Sequence, residues 1–189
     1  MSFDRSKAMA KVNKLLILVP TLNEAKTVKP LLKELEKFRS ESAQDFDLIV
    51  IDDASEDGTA QIVRELNYSW VKALDRARSG GLGAAYRAGF ELALASGKYT
   101  HIVTMDADGS HRVADLAALI SAIQPGKSLV LGSRWISGGS IINWPKYRQF
   151  LSKSGTDYAK FALGINLSDL TGGYRIYSVE LLENLKLET

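Results

Sequence analysis

The chain has 189 residues, with 24 Lys+Arg against 22 Asp+Glu and a formal net charge of +2. That length suits one domain, and a near-neutral balance excludes a dedicated nucleic-acid binder with a clustered basic excess. A hydrophobic share of 46% excludes a disordered or fibrous chain, and the absence of cysteine excludes disulfides, thiolate zinc sites and cysteine nucleophiles. Only His101 and His111 are present, which argues against a multi-histidine metal site.

Residues 1–14 are polar and basic and read as a loose arm before a single domain over 15–189. Leu15 to Val19 is apolar on both faces and predicts a buried strand. It is also the longest plainly aliphatic run, and Pro20 stops it, so it is far short of the roughly 20 residues of a spanning helix. It is too short for the core of a signal peptide as well. These features predict a cytoplasmic protein, soluble or lying on a membrane surface. Thr27 to Phe38 carries Val28, Leu31, Leu32, Leu35 and Phe38 at helical spacing. Phe46 to Ile51 predicts a second buried strand and Thr59 to Tyr68 a second helix. Val71 to Leu74 reads as a short third strand. Ser79 to Gly83 is a glycine-rich turn opening a helix that runs to about Leu94. Tyr99 to Met105 predicts a fourth strand, Val113 to Ile123 a helix, and Ser128 to Leu131 a fifth strand.

Such βα alternation with apolar strands predicts a parallel sheet with helices on both faces. Ligands bind such sheets at the carboxyl ends of the strands. Those ends are Pro20 to Glu24, Asp52-Asp53, Ser79 to Gly83, Asp106 to Ser110 and Gly132 to Arg134, and most of the unusual residues fall among them. Beyond Arg134 the pattern changes. Ser137 to Ser140 reads as a glycine-serine link and Lys146 to Leu163 as an amphipathic helix ended by Gly164. Asp169 to Arg175 reads as a loop before a short strand and a short helix.

Asp106-Ala107-Asp108 follows a buried strand, and two carboxylates two residues apart on extended backbone point to one side. That arrangement suits a hard divalent cation that also binds phosphate oxygens; the alternative is a helix cap made by Asp108 or Ser110. Asp52-Asp53 suits a ribose hydroxyl or a base N–H, or else opens the turn Asp53 to Gly58. Thr21 and Glu24 match a capping box as well as a ligand role. Gly80 to Gly83 lacks the following Lys-Ser/Thr of a P-loop and the dinucleotide spacing, so it predicts a close backbone approach instead. Arg134 suits a phosphate or is a solvated arginine. His111 reads as a cap or a supporting residue rather than a catalyst. The aromatic stripe from Tyr147 to Phe161 alternates with Lys146, Arg148, Lys153 and Lys160, which suits either core packing or a membrane-surface helix.

Taken in order, Val19 to Glu24, Ile51 to Thr59, Gly81 to Phe90 and Met105 to His111 resemble the signatures of the family 2 inverting glycosyltransferases. Gly132-Ser133-Arg134, Asn143-Trp144-Pro145 with Arg148, and Asp169 to Arg175 narrow the resemblance to dolichol- or polyprenol-phosphate mannosyltransferases, particularly bacterial ones. The resemblance runs from about residue 15 to 183 and implies an α/β nucleotide-binding fold of the GT-A type. It implies GDP-mannose as donor, a polyprenyl monophosphate as acceptor and a β-linked mannosyl phosphoryl polyprenol as product. It places Pro20, Leu22, Glu24, Ile51 and Asp53 around the guanosine, with Asp106, Ala107, Asp108 and Arg134 completing the nucleotide-sugar site. Asp106 and Asp108, joined by Ser110, would hold Mg²⁺ or Mn²⁺, and Asp108 and Arg134 would be the catalytic residues. Leu22 stands where many members have tyrosine, which implies one stacking contact fewer with the base. The family also places further basic contacts in a C-terminal region past the end of this chain, so the chain is expected to be shorter than the natural protein.

Arg148, Ser152 and Lys153 are spaced to gather on one side of the Lys146 to Leu163 helix, which by itself suits an ordinary amphipathic helix with solvated basic residues as well as a lipid phosphate; with the resemblance, they are expected to bind the acceptor phosphate. The resemblance adds a membrane surface and a membrane-anchoring partner protein as partners, with no nucleic acid, and a place at the cytoplasmic face of the membrane. Within the class the rival is a polyprenyl-phosphate glucosyltransferase using a UDP-sugar. Outside it the rivals are a non-catalytic nucleotide-sugar-binding domain and a phosphoacceptor receiver-like domain, which carries its acidic pair after the first strand rather than the second.

Overall fold

In β1 (Leu15–Thr21) every residue but Pro20 is buried, because alternate side chains enter two separate cores. Leu15, Ile17 and Val19 join Leu48, Val50 and the helical residues Leu31, Leu32, Leu35, Val63, Leu116 and Leu119 on one face. Leu16 and Leu18 join Ile51, Ala85, Phe90, Ala93, Ile102 and Leu182 on the other. A strand that is apolar throughout is therefore a central strand covered on both sides. The computed structural model describes residues 14–42, 44–77, 80–133, 146–164, 169 and 172–185, without the side chains of Lys146, Arg148, Gln149, Lys153 and Leu163.

In chain order the elements are β1, α1 (Val28–Ser42), β2 (Phe46–Asp52), α2 (Thr59–Glu65), β3 (Val71–Asp75), α3 (Gly81–Ser96) and β4 (His101–Thr104). They continue with α4 (Leu116–Ser121), β5 (Leu129–Leu131), α5 (Lys146–Leu163), β6 (Arg175–Ser178) and α6 (Val179–Asn184). The six strands form one sheet in the order β3-β2-β1-β4-β6-β5. β1 pairs in parallel with β2 and β4, and β2 with β3.

The last strand departs from simple alternation. β6 runs antiparallel between β4 and β5, with Thr104 opposite Arg175 and Leu131 opposite Arg175 on its other edge. β5 therefore does not touch β4. Because β6 runs the other way, its entry rather than its exit lies at the carboxyl end of β4.

Two predicted helices are shorter than their periodicity suggests. The stretch predicted as one helix from Val113 begins as a 3₁₀ turn over Val113–Asp115 before α4. The helix predicted to Tyr68 stops at Glu65, because Asn67 turns left-handed (φ 49°) and sends Tyr68 to stack on Trp70, centroids 5.5 Å apart. The polar arm predicted over 1–14 lies outside the described residues except for Lys14, whose carbonyl accepts the Thr100 N–H at 2.9 Å. The glycine-serine link over Ser137 to Ser140 lies outside them too.

Candidate active site

The carboxyl ends of β1 and β2 are laced together by hydrogen bonds. Asp53 N–H donates to the Thr21 carbonyl at 2.9 Å, Asn23 N–H to Ser55 Oγ at 2.8 Å, and Ala25 N–H to Asp57 Oδ2 at 2.9 Å. Glu24 N–H donates to Thr59 Oγ1 at 2.9 Å, and Glu56 N–H to Asn23 Oδ1 at 3.0 Å. Asn23 and Ala54 adopt left-handed backbone (φ 58° and 62°), which turns both loops outward. This lacing fixes the positions of Pro20, Leu22 and Glu24. Pro20 and Glu24 are half-buried, while Leu22 is 51% exposed.

The capping-box alternative for Thr21 and Glu24 does not form. The Thr21 hydroxyl donates to Asp52 Oδ1 at 3.0 Å, and the helix that follows begins only at Val28. The Glu24 carbonyl instead accepts the Thr27 and Val28 N–H groups.

The two adjacent acids at the end of β2, Asp52 within it and Asp53 just past it, have different structural duties. Asp52, buried, accepts from Thr21 Oγ1, Ser55 N–H at 2.9 Å and Ser55 Oγ at 2.7 Å, so it shapes the turn. Asp53, 4% exposed, accepts Gly80 and Gly81 N–H on Oδ2 at 3.0 and 3.1 Å, and its Oδ1 pairs with Arg76. The carboxylate thus ties the first turn of α3 to the end of β2. A Cβ on Gly80 would come within 2.6 Å of Arg76 Nη2, so the end of that arginine would have to shift from Asp53. The close backbone approach predicted for this glycine-rich stretch is a contact with Asp53 and Arg76. Ile51 is fully buried against α3, so its side chain presents no surface to a ligand.

At the end of β4, Asp106 is half-buried, Ala107 buried, and Asp108 and Ser110 exposed. Tyr86 Oη donates to Asp106 Oδ1 at 3.1 Å. Burial and the neighbouring Asp106 charge push the Tyr86 phenol far above its ordinary value, so it keeps the proton it donates. Asp108 Oδ1 accepts Ser110 N–H at 2.9 Å. Burial alone would raise the Asp108 carboxyl, but hydrogen bonds from the Ser110 side chain and amide, with His111 nearby, bring it below its ordinary range. His111 lies beside Asp106, whereas His101 sits at the opposite end of β4, where burial lowers its pKa.

A pocket of about 300 Å³ opens beside Asp108, lined among others by Lys26, Thr27, Pro30, Ala107, His111 and Arg112. The donor set fits a small hard cation. Asp106 and Asp108 offer carboxylate oxygens and Ser110 a hydroxyl, and the Asp108–Ser110 edge is exposed, as a cation that also takes water and phosphate oxygens would require. No cluster of three or more His, Cys, Asp or Glu that could hold a metal ion stands among the described residues.

The segment before β6 closes this end of the sheet. Thr104 Oγ1 donates to the Gly173 carbonyl at 2.7 Å, and Gly132 N–H to the Tyr174 carbonyl at 2.8 Å. Gly132-Ser133 is thereby brought beside Gly172-Gly173-Tyr174. Arg134, which follows, lies outside the described residues, as do Asn143-Trp144-Pro145. Of the three residues predicted to bind the acceptor, Ser152 is half-buried on α5, while the side chains of Arg148 and Lys153 lie outside the described residues. Sequence reasoning missed Tyr86 and Arg76 as individual residues. The signal for Tyr86 was a hydroxyl on the inner face of α3, beside Ala85, Gly89 and Phe90, where a partner is required.

The pattern of the family described as Glycosyl transferase family 2 matches residues 16–186. A polyprenol monophosphomannose synthase of Mycolicibacterium smegmatis is 38% identical over 175 residues, covering 91% of this chain and 64% of that protein. An undecaprenyl-phosphate mannosyltransferase of Micrococcus luteus is 40% identical, covering 93% and 70%. A dolichol-phosphate mannosyltransferase of Pyrococcus furiosus is 31% identical, covering 92% and 49%. The chain therefore spans about half to seven-tenths of the length of these relatives. Among solved structures, a mannosyltransferase from Pyrobaculum calidifontis in complex with GDP-Man and Mn²⁺ aligns with a TM-score of 0.62 at 21% identity, over 94% of this chain and 48% of that one. Glucosyl-3-phosphoglycerate synthase from Mycobacterium tuberculosis, in complex with Mn²⁺, UDP and its product, aligns at 0.65 and 19%, over 92% and 59%. At these identities the likeness establishes the fold, which is that of the GT-A glycosyltransferases.

Proposed function

The chain belongs to glycosyl transferase family 2, and from that premise we propose that it moves mannose from GDP-mannose to a polyprenyl monophosphate. The observation that supports the reading is the Asp106-Ala107-Asp108 edge at the carboxyl end of β4, on the strand next to β1, whose own carboxyl end is laced to that of β2. The relatives named above, all polyprenyl- or dolichyl-phosphate mannosyltransferases, supply the sugar and the acceptor class. This reading takes 15–189 as one catalytic domain.

In this proposal Pro20, Leu22 and Glu24 line the nucleoside, with the backbone of Ile51 and Asp53 behind them. Asp106, Asp108 and Ser110 hold Mg²⁺ or Mn²⁺, which supplies charge neutralisation for the departing GDP. Arg134 faces the diphosphate or the acceptor. The acceptor phosphate is anionic at neutral pH and needs little help from a general base. One of its oxygens forms the new bond to the anomeric carbon as the bond to the GDP oxygen breaks on the opposite face, so the configuration inverts. The protein's part is to align the two and to stabilise charge on the leaving group.

Arg148, Ser152 and Lys153 are proposed to receive the lipid phosphate. α5 exposes Tyr147, Phe150, Leu151, Tyr158 and Phe161, the last at 89%, which supports a helix lying at the membrane interface. No described helix is long and apolar enough to cross a membrane. The anchoring partner protein rests on the family resemblance alone.

The test is transfer of labelled mannose from GDP-mannose to undecaprenyl phosphate in the presence of Mn²⁺, beside calorimetry of GDP-mannose against UDP-glucose. Metal-dependent formation of labelled lipid is expected. Tighter binding of UDP-glucose would overturn the donor, and donor binding without product on any polyprenyl phosphate would overturn the enzyme.

A further inference from the structure

The Gly81–Phe90 signature contains one polar side chain aimed at the acid pair, that of Tyr86. Its hydroxyl donates to Asp106 Oδ1 at 3.1 Å, and its ring is held by stacking on Phe90, which packs edge-on against Tyr177. The other carboxylate oxygen of Asp106 faces His111, with Nε2 at 3.6 Å from Oδ2, an electrostatic contact rather than a hydrogen bond. The backbone N–H of Asp106 donates to His111 Nδ1 at 2.8 Å. Nδ1 must therefore present its lone pair, and the proton of the neutral ring lies on Nε2, the side toward the carboxylate.

His111 is itself fixed. Its ring stacks on Tyr174 with centroids 4.9 Å apart and planes 16° apart. A Cβ on Gly173 would stand 3.2 Å from His111 Cε1 and 3.4 Å from Asp106 Oδ2, so the segment entering β6 closes over both groups. Asp108, by contrast, is exposed.

We propose that Tyr86 and His111 are positioning residues that hold the Asp106 carboxylate from two sides and thereby set the affinity of this site for a divalent cation and its diphosphate. The inference rests on the cation-dependent donor site proposed above. Its physical basis is that a carboxylate locked before binding loses less rotational freedom on coordination, and that groups supporting metal ligands typically contribute about 10- to 100-fold in affinity.

The experiment measures Mn²⁺ affinity by calorimetry and by Mn²⁺ electron paramagnetic resonance on the full chain, with GDP present. It uses wild type, Asp106→Ala, Tyr86→Phe, His111→Ala and His111→Gln, and adds metal-free GDP affinity and thermal melting for each. Tyr86→Phe keeps the ring and removes only the donor, so its fold should be intact. Its Mn²⁺ affinity should fall about tenfold, with metal-free GDP affinity and melting temperature near wild type. Excess Mn²⁺ should restore its transfer rate by mass action. His111→Ala should lose at least as much, and His111→Gln, which returns an N–H toward Oδ2, should recover part of it. If Asp106→Ala loses Mn²⁺ while Tyr86→Phe and His111→Ala bind it as wild type does, the positioning inference is overturned and the site stands. If wild type and Asp106→Ala bind Mn²⁺ with GDP equally, the cation site itself is wrong.

Discussion

Asp53 and Asp108 are the same residue type at the same edge of the sheet, and their surroundings give them opposite duties. Asp53 is buried with Arg76 and the two backbone donors Gly80 and Gly81 at the start of α3, so its charge is committed to the fold. Asp108 is exposed and tied only locally, to Ser110, which leaves oxygen surface for a cation. Asp53→Asn should therefore lower stability by about 1.5–3 kcal/mol, the scale of a lost charge-assisted hydrogen bond, and weaken GDP binding with or without metal. Asp108→Ala should change stability by no more than about 0.5 kcal/mol, as exposed substitutions do, yet abolish the metal-dependent part of GDP binding. Urea unfolding and calorimetry of the two variants, with and without Mn²⁺, check both. Wild-type metal-dependent affinity in Asp108→Ala would remove it from the cation site.

Among the elements, α3 depends most on one small residue. Gly89 lies where the helix crosses the sheet, and a Cβ there would approach Ile51 Cδ1 and Leu18 Cδ1 to 2.6 and 2.7 Å. Both side chains are fully buried and have little space to yield. Glycine thus lets the helix sit low enough for the Tyr86 hydroxyl to reach Asp106. Gly89→Val should lower stability by roughly 1–3 kcal/mol through overpacking, read from the urea midpoint at unchanged slope. It should also weaken Mn²⁺-dependent GDP binding, because lifting α3 withdraws Tyr86. Unchanged stability would mean that the helix rides higher than described. α5 is the opposite case. Its periodicity marks a helix, and Tyr147, Phe150, Tyr158 and Phe161 on it are exposed rather than packed.

For the whole molecule, the exposed aromatic side of α5 and a lipid acceptor point to the same surface. Replacing Phe150 and Phe161 by serine should leave folding intact, since both are exposed, and reduce sedimentation with anionic phospholipid vesicles. Each loss should be on the order of a tenfold change in partition, from roughly 1.5–3 kcal/mol per large apolar side chain buried. GDP affinity should stay at wild type. Equal vesicle binding by the double variant would place the membrane contact elsewhere.

The sequence by itself determined the central sheet, because strands apolar on both faces, separated by amphipathic helices, have one economical packing. It also placed the acid pair, since the end of a buried strand and a two-residue spacing are local facts. The bounds of α5 agree with its periodicity because Gly164 (φ 64°) ends it locally. Only the tertiary structure decided the reversal of β6, since no local signal distinguishes a short parallel edge strand from one inserted antiparallel. That reversal carries Gly173 and Tyr174 to the end of β4, some seventy residues away in sequence, and closes them over His111 and Asp106. Tertiary structure also divided the adjacent acids Asp52 and Asp53, giving Thr21 to the first and Arg76 to the second. A hydrogen-bond partner is a fact of spatial proximity, and the sequence records only that each side chain needs one.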